Sequence, residues 1–132
     1  MTNALTHVTH ALLRIVAGLL FFSHGAVKLF GWFGGMPAGS TLSLLTRTAG
    51  WIEVVAGALV MAGLFTRPVA FIASGEMAVA YFLRHQPQGF WPLQNRGELA
   101  ALYCFIFLFL STAGAGPLSL DALRARPRRA ED

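Results

Sequence analysis

The sequence has few charged residues for its length and a single cysteine. Asp, Glu, Lys and Arg make up 12% of the 132 residues, whereas hydrophobic residues make up 55%. Because soluble domains are about 25% charged, this composition indicates a protein whose helices contact lipid rather than water. A single cysteine, Cys104, excludes a disulfide within this sequence, and we expect it to pack as a small apolar residue.

Acidic residues are fewer than basic ones, which gives a formal net charge of +4. Four arginines lie within residues 124–129, and the other basic residues flank or enter apolar runs. This placement suits anionic lipid head groups better than DNA, and no nucleic-acid-binding motif is present, so we predict the lipid bilayer as a partner and no nucleic acid.

Two further patterns are absent from the sequence. No group of His, Cys, Asp or Glu has the spacing of metal ligands, so no metal site is predicted. No basic leader or small-residue cleavage site marks a signal peptide. We therefore expect the first apolar run to be retained as a membrane-spanning helix.

Four long apolar runs, separated by stretches rich in glycine, proline and aromatic residues, organise the sequence. Each run is apolar nearly all round, as in a helix with lipid or protein on every side. The predicted fold class is all-α, an integral membrane four-helix bundle with short interfacial segments between helices 1 and 2 and after helix 4. The predicted helices cover about residues 8–30, 49–65, 68–85 and 96–113, in a domain of residues 1–118 followed by a basic cytoplasmic tail of residues 119–132.

Basic residues predict the orientation of this bundle. With four spans both termini lie on one side, together with Arg67 and the arginines of residues 124–129, against Arg47, Arg84 and Arg96 on the other. The positive-inside bias makes the termini cytoplasmic. We therefore predict a multi-pass protein of the bacterial inner membrane, with Asp121 capping a short helix in the tail.

Charged side chains inside the apolar runs are the most informative feature. In lipid such side chains normally face the interior of a helix bundle and have either a partner or a functional task. At a rise of about 1.5 Å per residue, two layers follow. The outer layer contains His24, Lys28, Glu53, Glu98 and Arg84, with His85 and Arg96 as further candidates. The inner layer contains the predicted structural charge pair Arg14 and Glu76.

Several segments resemble the DoxX family of small four-helix bacterial membrane proteins. The matching stretches are RIVAGLLFFSHGAVKLFGWFGG, GWIEVVAGALVMAGLFTRPVA and GELAALYCFIFLFLSTAGAGPLSLDA, which together span nearly the whole chain. The residues that carry the family pattern are Arg14, Gly18, Phe22, Gly25, Lys28, Glu53, Gly57, Gly63, Leu64, Thr66 and Arg67. The resemblance implies a quinone-linked role, since the family takes its name from subunits of a terminal quinol oxidase and a thiosulfate:quinone oxidoreductase.

The outer layer then has two interpretations, a buried ionic network that orients the helices or a quinone head-group pocket. In the pocket, Lys28 and His24 would donate hydrogen bonds to the quinone, Glu53 would orient Lys28 and relay protons, and Glu98 would complete the set. Four aromatic residues are candidates for a flat floor, namely Phe21, Phe22, Trp32 and Trp51.

Two other functions stay open. The chain is also compatible with a non-enzymatic scaffold or accessory subunit that recruits a redox partner, and less so with a small-solute transporter, suggested by Ser74 and Glu76 at mid-depth. Gly18 and Gly25 lie on one helical face and would allow a neighbouring helix to approach closely, in the same chain or in a homo-oligomer.

Overall fold

The computed structural model describes residues 2–126, and the regular structure in this range is helical, without strands. The α-helices are α1 (Thr2–Phe30), α2 (Leu44–Ala62), α3 (Thr66–Ala80), α4 (Pro92–Asn95), α5 (Glu98–Ala113) and α6 (Leu120–Arg124). A π-helical segment (Tyr81–His85) continues α3, and two 3-10 turns (Trp32–Gly34 and Gln86–Gln88) lie in the connections. The all-α prediction is confirmed, whereas the end of the basic tail lies outside the described residues.

Observed helix ends differ from the predicted ones at the start of α1, which begins at Thr2 rather than near residue 8, and at both ends of α2. This helix begins at Leu44 rather than near residue 49, because the Ser43 hydroxyl accepts a hydrogen bond from the backbone N–H of Thr46 and caps the helix. It ends at Ala62 rather than near residue 65, where Gly63 takes a left-handed conformation at φ 70°. The apolar stretch predicted to lie at the interface is therefore partly the first turn of α2.

Membrane-spanning length is reached by two helices on their own. Both α1 and α2 are long and apolar enough to cross a bilayer, and α5 is a shorter apolar helix. Residues 66–85 form one uninterrupted rod of α3 and the π-helical segment, with Pro68 in its first turn, where proline removes no helical hydrogen bond. At about 1.5 Å per residue this rod is about 30 Å long.

The helices pack as two antiparallel pairs, α1 with α2 and α3 with α5, around a shared apolar core. Between α1 and α2 the backbones are in contact at glycines: a Cβ added at Gly57 would lie 2.6 Å from the Phe22 nitrogen. Gly18 and Gly25 also face α2, so the predicted close approach is made within the chain. Between α3 and α5 the Ser74 hydroxyl donates to the Cys104 carbonyl at 2.8 Å.

One end of the bundle is organised around Arg14, which is 1% exposed. Its guanidinium donates to four backbone carbonyls at the end of α2 and in the segment after α5, those of Val60, Met61, Ala115 and Leu118. The predicted charge pair of Arg14 with Glu76 is therefore wrong. Main-chain carbonyls, which no sequence pattern distinguishes, take the place of the carboxylate.

Asp121 also joins two helices at this end. Its carboxylate accepts hydrogen bonds from the backbone N–H groups of Phe65 (2.8 Å) and Thr66 (3.0 Å), so it caps α3. The prediction that Asp121 caps the tail helix is wrong, since the Ser119 hydroxyl caps α6 by accepting from the Ala122 N–H. Partial burial acts in the opposite direction, but the hydrogen bonds from Thr66 and Phe65 hold the pKa of the Asp121 carboxyl below its ordinary value.

Replacing Asp121 with alanine is expected to lower the free energy of unfolding by about 1 kcal/mol, as for the loss of an N-terminal helix cap. Because the pKa of Asp121 is lower in the folded state, its charge stabilises the protein fully above the unfolded-state pKa and this is lost as the pH falls through the folded-state pKa. Chemical unfolding at several pH values measures both effects. Asp121→Asn is the control, since it keeps a capping oxygen without the charge, and a stability gap to wild type that widens at low pH would contradict the assignment.

Candidate functional site

A cavity of about 870 Å³ lies at the end of the bundle away from Arg14, between the end of α1, the start of α2, the end of α3 and the start of α5. Each of these helices contributes at least one polar side chain to its wall. The residues that carry the argument below are Phe21, His24, Lys28, Glu53, Glu76 and Tyr103. The volume falls within the range of small-molecule sites.

Lys28 and Glu53 form an ion pair in this wall. The Lys28 Nζ lies 2.5 Å from Glu53 Oε1 and 2.6 Å from Oε2, so one ammonium group contacts both carboxylate oxygens. Glu53 is 3% exposed and the Lys28 side chain 26%. Because a carboxylate this deeply buried is costly without a partner, the pair fixes the lysine at the cavity wall.

The close approach of α1 and α2 makes this short ion pair possible. Gly25 lies one helical turn before Lys28 on α1. A Cβ added at Gly25 would lie 2.5 Å from the Gly50 carbonyl oxygen. Gly50 in turn packs against Leu29 of α1. The glycines therefore set the separation of the two backbones from which Lys28 and Glu53 extend.

Glu76 and Tyr103 also line the cavity, and each has a polar atom without a partner among the described residues. Glu76 Oε2 and the Tyr103 hydroxyl are both buried, and neither forms a hydrogen bond with another described residue. Leaving such a group unsatisfied costs about 1–3 kcal/mol. A cavity whose wall includes two residues with such atoms is suited to a polar ligand or to ordered water.

Aromatic rings support this part of the wall. Tyr103 stacks on Phe107, with ring centroids 5.7 Å apart and planes at 8°, and contacts Phe21 at 5.6 Å. His24 meets the Tyr103 ring edge-on at 6.1 Å. Of the four aromatic residues predicted as a floor, Phe21 is the one that lines the cavity.

Three further basic side chains line the cavity, those of Arg84, His85 and Arg96. Asn95, which is 1% exposed, holds this region together by donating to the Gly89 carbonyl and the Tyr81 hydroxyl and accepting from the Gly97 N–H. The π-helical segment supplies two of the basic side chains, and such segments are frequent at functional sites.

Four predicted site residues lie elsewhere. Glu98 is exposed in the first turn of α5 and does not line the cavity. Phe22, Trp32 and Trp51 lie in an aromatic cluster outside the cavity, where Trp32 contacts Phe22 and Trp51 contacts Phe30. Depth along a helix is predictable from sequence, but the face on which these residues lie depends on helix rotation.

Tyr103 is the wall residue that sequence reasoning missed. It lies in the most apolar run of the chain, where a ring with a hydroxyl group is itself a signal, because a buried tyrosine hydroxyl usually has a partner. Glu76 was assigned to the inner layer with Arg14, whereas the structure places it in the same cavity as Lys28 and Glu53.

Within residues 2–126, α1 and α2 are long and apolar enough to cross a membrane, and an ion pair joins them. Residues 9–86 match the model of the DoxX family, and the chain belongs to that family. An uncharacterized protein of Haemophilus influenzae is 42% identical over 116 residues, covering 84% of this chain and 87% of that protein. An uncharacterized membrane protein of Mycobacterium tuberculosis is 32% identical over 130 residues, covering 83% of this chain and 77% of that protein. No solved structure matches the chain significantly.

Proposed function

We propose that the protein is a multi-pass protein of the bacterial inner membrane with four spans and cytoplasmic termini. The spans are α1, α2, the rod of residues 66–85, and α5, which is short for a full crossing but the most apolar of the helices. With four spans, Arg67, Arg124 and Arg126 lie on the same side of the membrane as the termini, and two further arginines follow in the sequence. This excess of arginine supports cytoplasmic termini. The cavity then opens toward the periplasmic side.

In this membrane the cavity binds a quinone head group, and the protein is a quinone-interacting oxidoreductase subunit. The observation that carries this proposal is the Lys28–Glu53 ion pair in the wall of an 870 Å³ cavity with aromatic side chains. A quinone is a flat ring whose carbonyl oxygens need hydrogen-bond donors. Lys28 donates to one carbonyl oxygen, His24 is a second donor, and Glu53 holds Lys28 in place.

Reduction of the bound quinone requires two electrons and two protons. The electrons come from a separate redox protein on the periplasmic or membrane side, and one proton is added to each carbonyl oxygen to give the quinol. Lys28 supplies a proton to the carbonyl oxygen that it contacts, His24 supplies one to the second oxygen, and Glu53 relays a replacement proton to Lys28. The chain's own contribution is thus binding, orientation and proton transfer.

Replacing Lys28 with methionine is expected to weaken quinone binding about 10- to 100-fold, the value of a hydrogen bond from a charged donor. The measurement is titration of purified protein in nanodiscs with a short-chain quinone. Because Lys28→Met leaves Glu53 buried without a partner, the Lys28→Met/Glu53→Gln double variant is measured in parallel. Arg47→Met is the matched control, since Arg47 is a basic residue of α2 that does not line the cavity.

Two results would contradict the proposal. Wild-type protein that binds no quinone would exclude the site, and equal binding by wild type and the double variant would exclude Lys28 and Glu53 from it. If the wild type binds no quinone but reproducibly copurifies with a redox protein in mild detergent, the accessory-subunit function replaces the one proposed here.

A further inference from the structure

The cavity receives polar groups from both helix pairs, and the two pairs differ in how these groups are satisfied. On α1 and α2, Lys28 and Glu53 satisfy each other. On α3 and α5, Glu76 Oε2 and the Tyr103 hydroxyl have no partner among residues 2–126. The α3–α5 side of the cavity therefore offers hydrogen-bonding capacity that the protein itself does not use.

Tyr103 is fixed in its position by its surroundings. The residue is 4% exposed, and its ring is stacked on Phe107 with contacts to Phe21 and His24. Glu76 lines the same cavity as Lys28, Glu53 and Tyr103, so four polar residues contribute to the wall of one cavity.

We infer that Glu76 and Tyr103 form a second polar contact in this cavity, which binds the oxygen at the far end of the ring from Lys28. The inference rests on the proposed quinone site and deepens it. The Tyr103 hydroxyl donates to a carbonyl oxygen of the quinone, and the Glu76 carboxylate accepts from the hydroxyl of the quinol. The ligand class is a flat ring with an oxygen at each of two opposite ends. A ring with one oxygen forms hydrogen bonds with the polar groups on only one side of the cavity.

A matched pair of ligands tests this specificity. A methylated naphthoquinol, kept reduced under anaerobic conditions, carries two hydroxyl groups, and the corresponding methylnaphthol carries one. Wild type is expected to bind the quinol about tenfold more tightly, since a site left with unpaired polar groups discriminates against the poorer ligand. Tyr103→Phe and Glu76→Gln are each expected to reduce quinol affinity about five- to tenfold and to leave naphthol affinity unchanged.

Glu98→Gln is the matched control for Glu76→Gln, because Glu98 is exposed in the first turn of α5 and does not line the cavity. A second measurement keeps folding and binding apart. Tyr103→Phe removes a buried hydroxyl without a partner, so the ligand-free variant is expected to unfold at the same temperature as wild type or a higher one.

The outcomes separate this inference from the proposed function. If Tyr103→Phe and Glu76→Gln still bind the quinol about tenfold more tightly than the naphthol, as wild type does, the second contact is overturned. In that case, loss of quinone binding in the Lys28→Met/Glu53→Gln variant would still support the quinone site. A lower unfolding temperature of ligand-free Tyr103→Phe with unchanged discrimination would assign Tyr103 to structure alone. Failure of the wild type to bind either ligand would overturn both proposals.

Discussion

Replacing Arg14 with methionine is expected to lower the free energy of unfolding by about 3–5 kcal/mol, the range seen when one partner of a buried charged interaction is removed. The guanidinium donates to four carbonyls at distances between 2.6 Å (Met61) and 3.2 Å (Ala115). Methionine fills a similar volume but donates nothing, so all four carbonyls lose the guanidinium in a part of the protein that water hardly reaches, although the Val60 carbonyl still accepts from the Gly63 N–H.

Arg14→Lys separates charge from geometry in this experiment. Lysine keeps the positive charge, but its three donors on one nitrogen cannot reach carbonyls that the planar guanidinium contacts from three nitrogens. An intermediate loss of stability is therefore expected. Denaturant unfolding in detergent micelles measures all three proteins, and a loss below about 1 kcal/mol in Arg14→Met would contradict the role assigned to these hydrogen bonds.

The Arg14 environment also shows where sequence reasoning stops. An arginine in an apolar run predicts burial and a partner, and burial is what the structure has. The partner was predicted from the available carboxylates, because backbone carbonyls are present at every position and carry no sequence signal. Glu76, the carboxylate predicted to pair with Arg14, lines the cavity instead.

The outer layer was predictable in part for a related reason. Lys28 and Glu53 lie at matching depth on consecutive antiparallel helices, and the structure joins them at 2.5 Å. Glu98 lies at a similar depth but is exposed, since its position in the first turn of α5 is rotated away from the cavity. Depth follows from counting residues, whereas rotation is decided by packing contacts between helices.

The four helical segments and the all-α class were predictable because apolar length and glycine or proline at segment ends are local signals. The first turn of α2 was not predictable, because it depends on the hydrogen bond by which Ser43 caps the helix within an apolar connection. The π-helical geometry of Tyr81–His85 was also not predictable. It lies beside the buried Asn95, which donates to the hydroxyl of Tyr81, the first residue of that segment, from 14 residues further along the chain.

Glycine contacts between α1 and α2 give the last prediction: Gly25→Ala is expected to cost about 3 kcal/mol of stability and to weaken quinone binding as well. The added Cβ would lie 2.5 Å from the Gly50 carbonyl oxygen and 2.8 Å from the Val54 nitrogen, and backbone atoms cannot move aside as a flexible side chain can. The helices must separate, and Lys28 and Glu53 separate with them.

Gly75→Ala is the matched control, since a Cβ at this glycine of α3 meets nothing within 4 Å and alanine favours the helix by up to about 1 kcal/mol. Equal unfolding free energies for the two variants would show that the α1–α2 contact does not set the position of the ion pair.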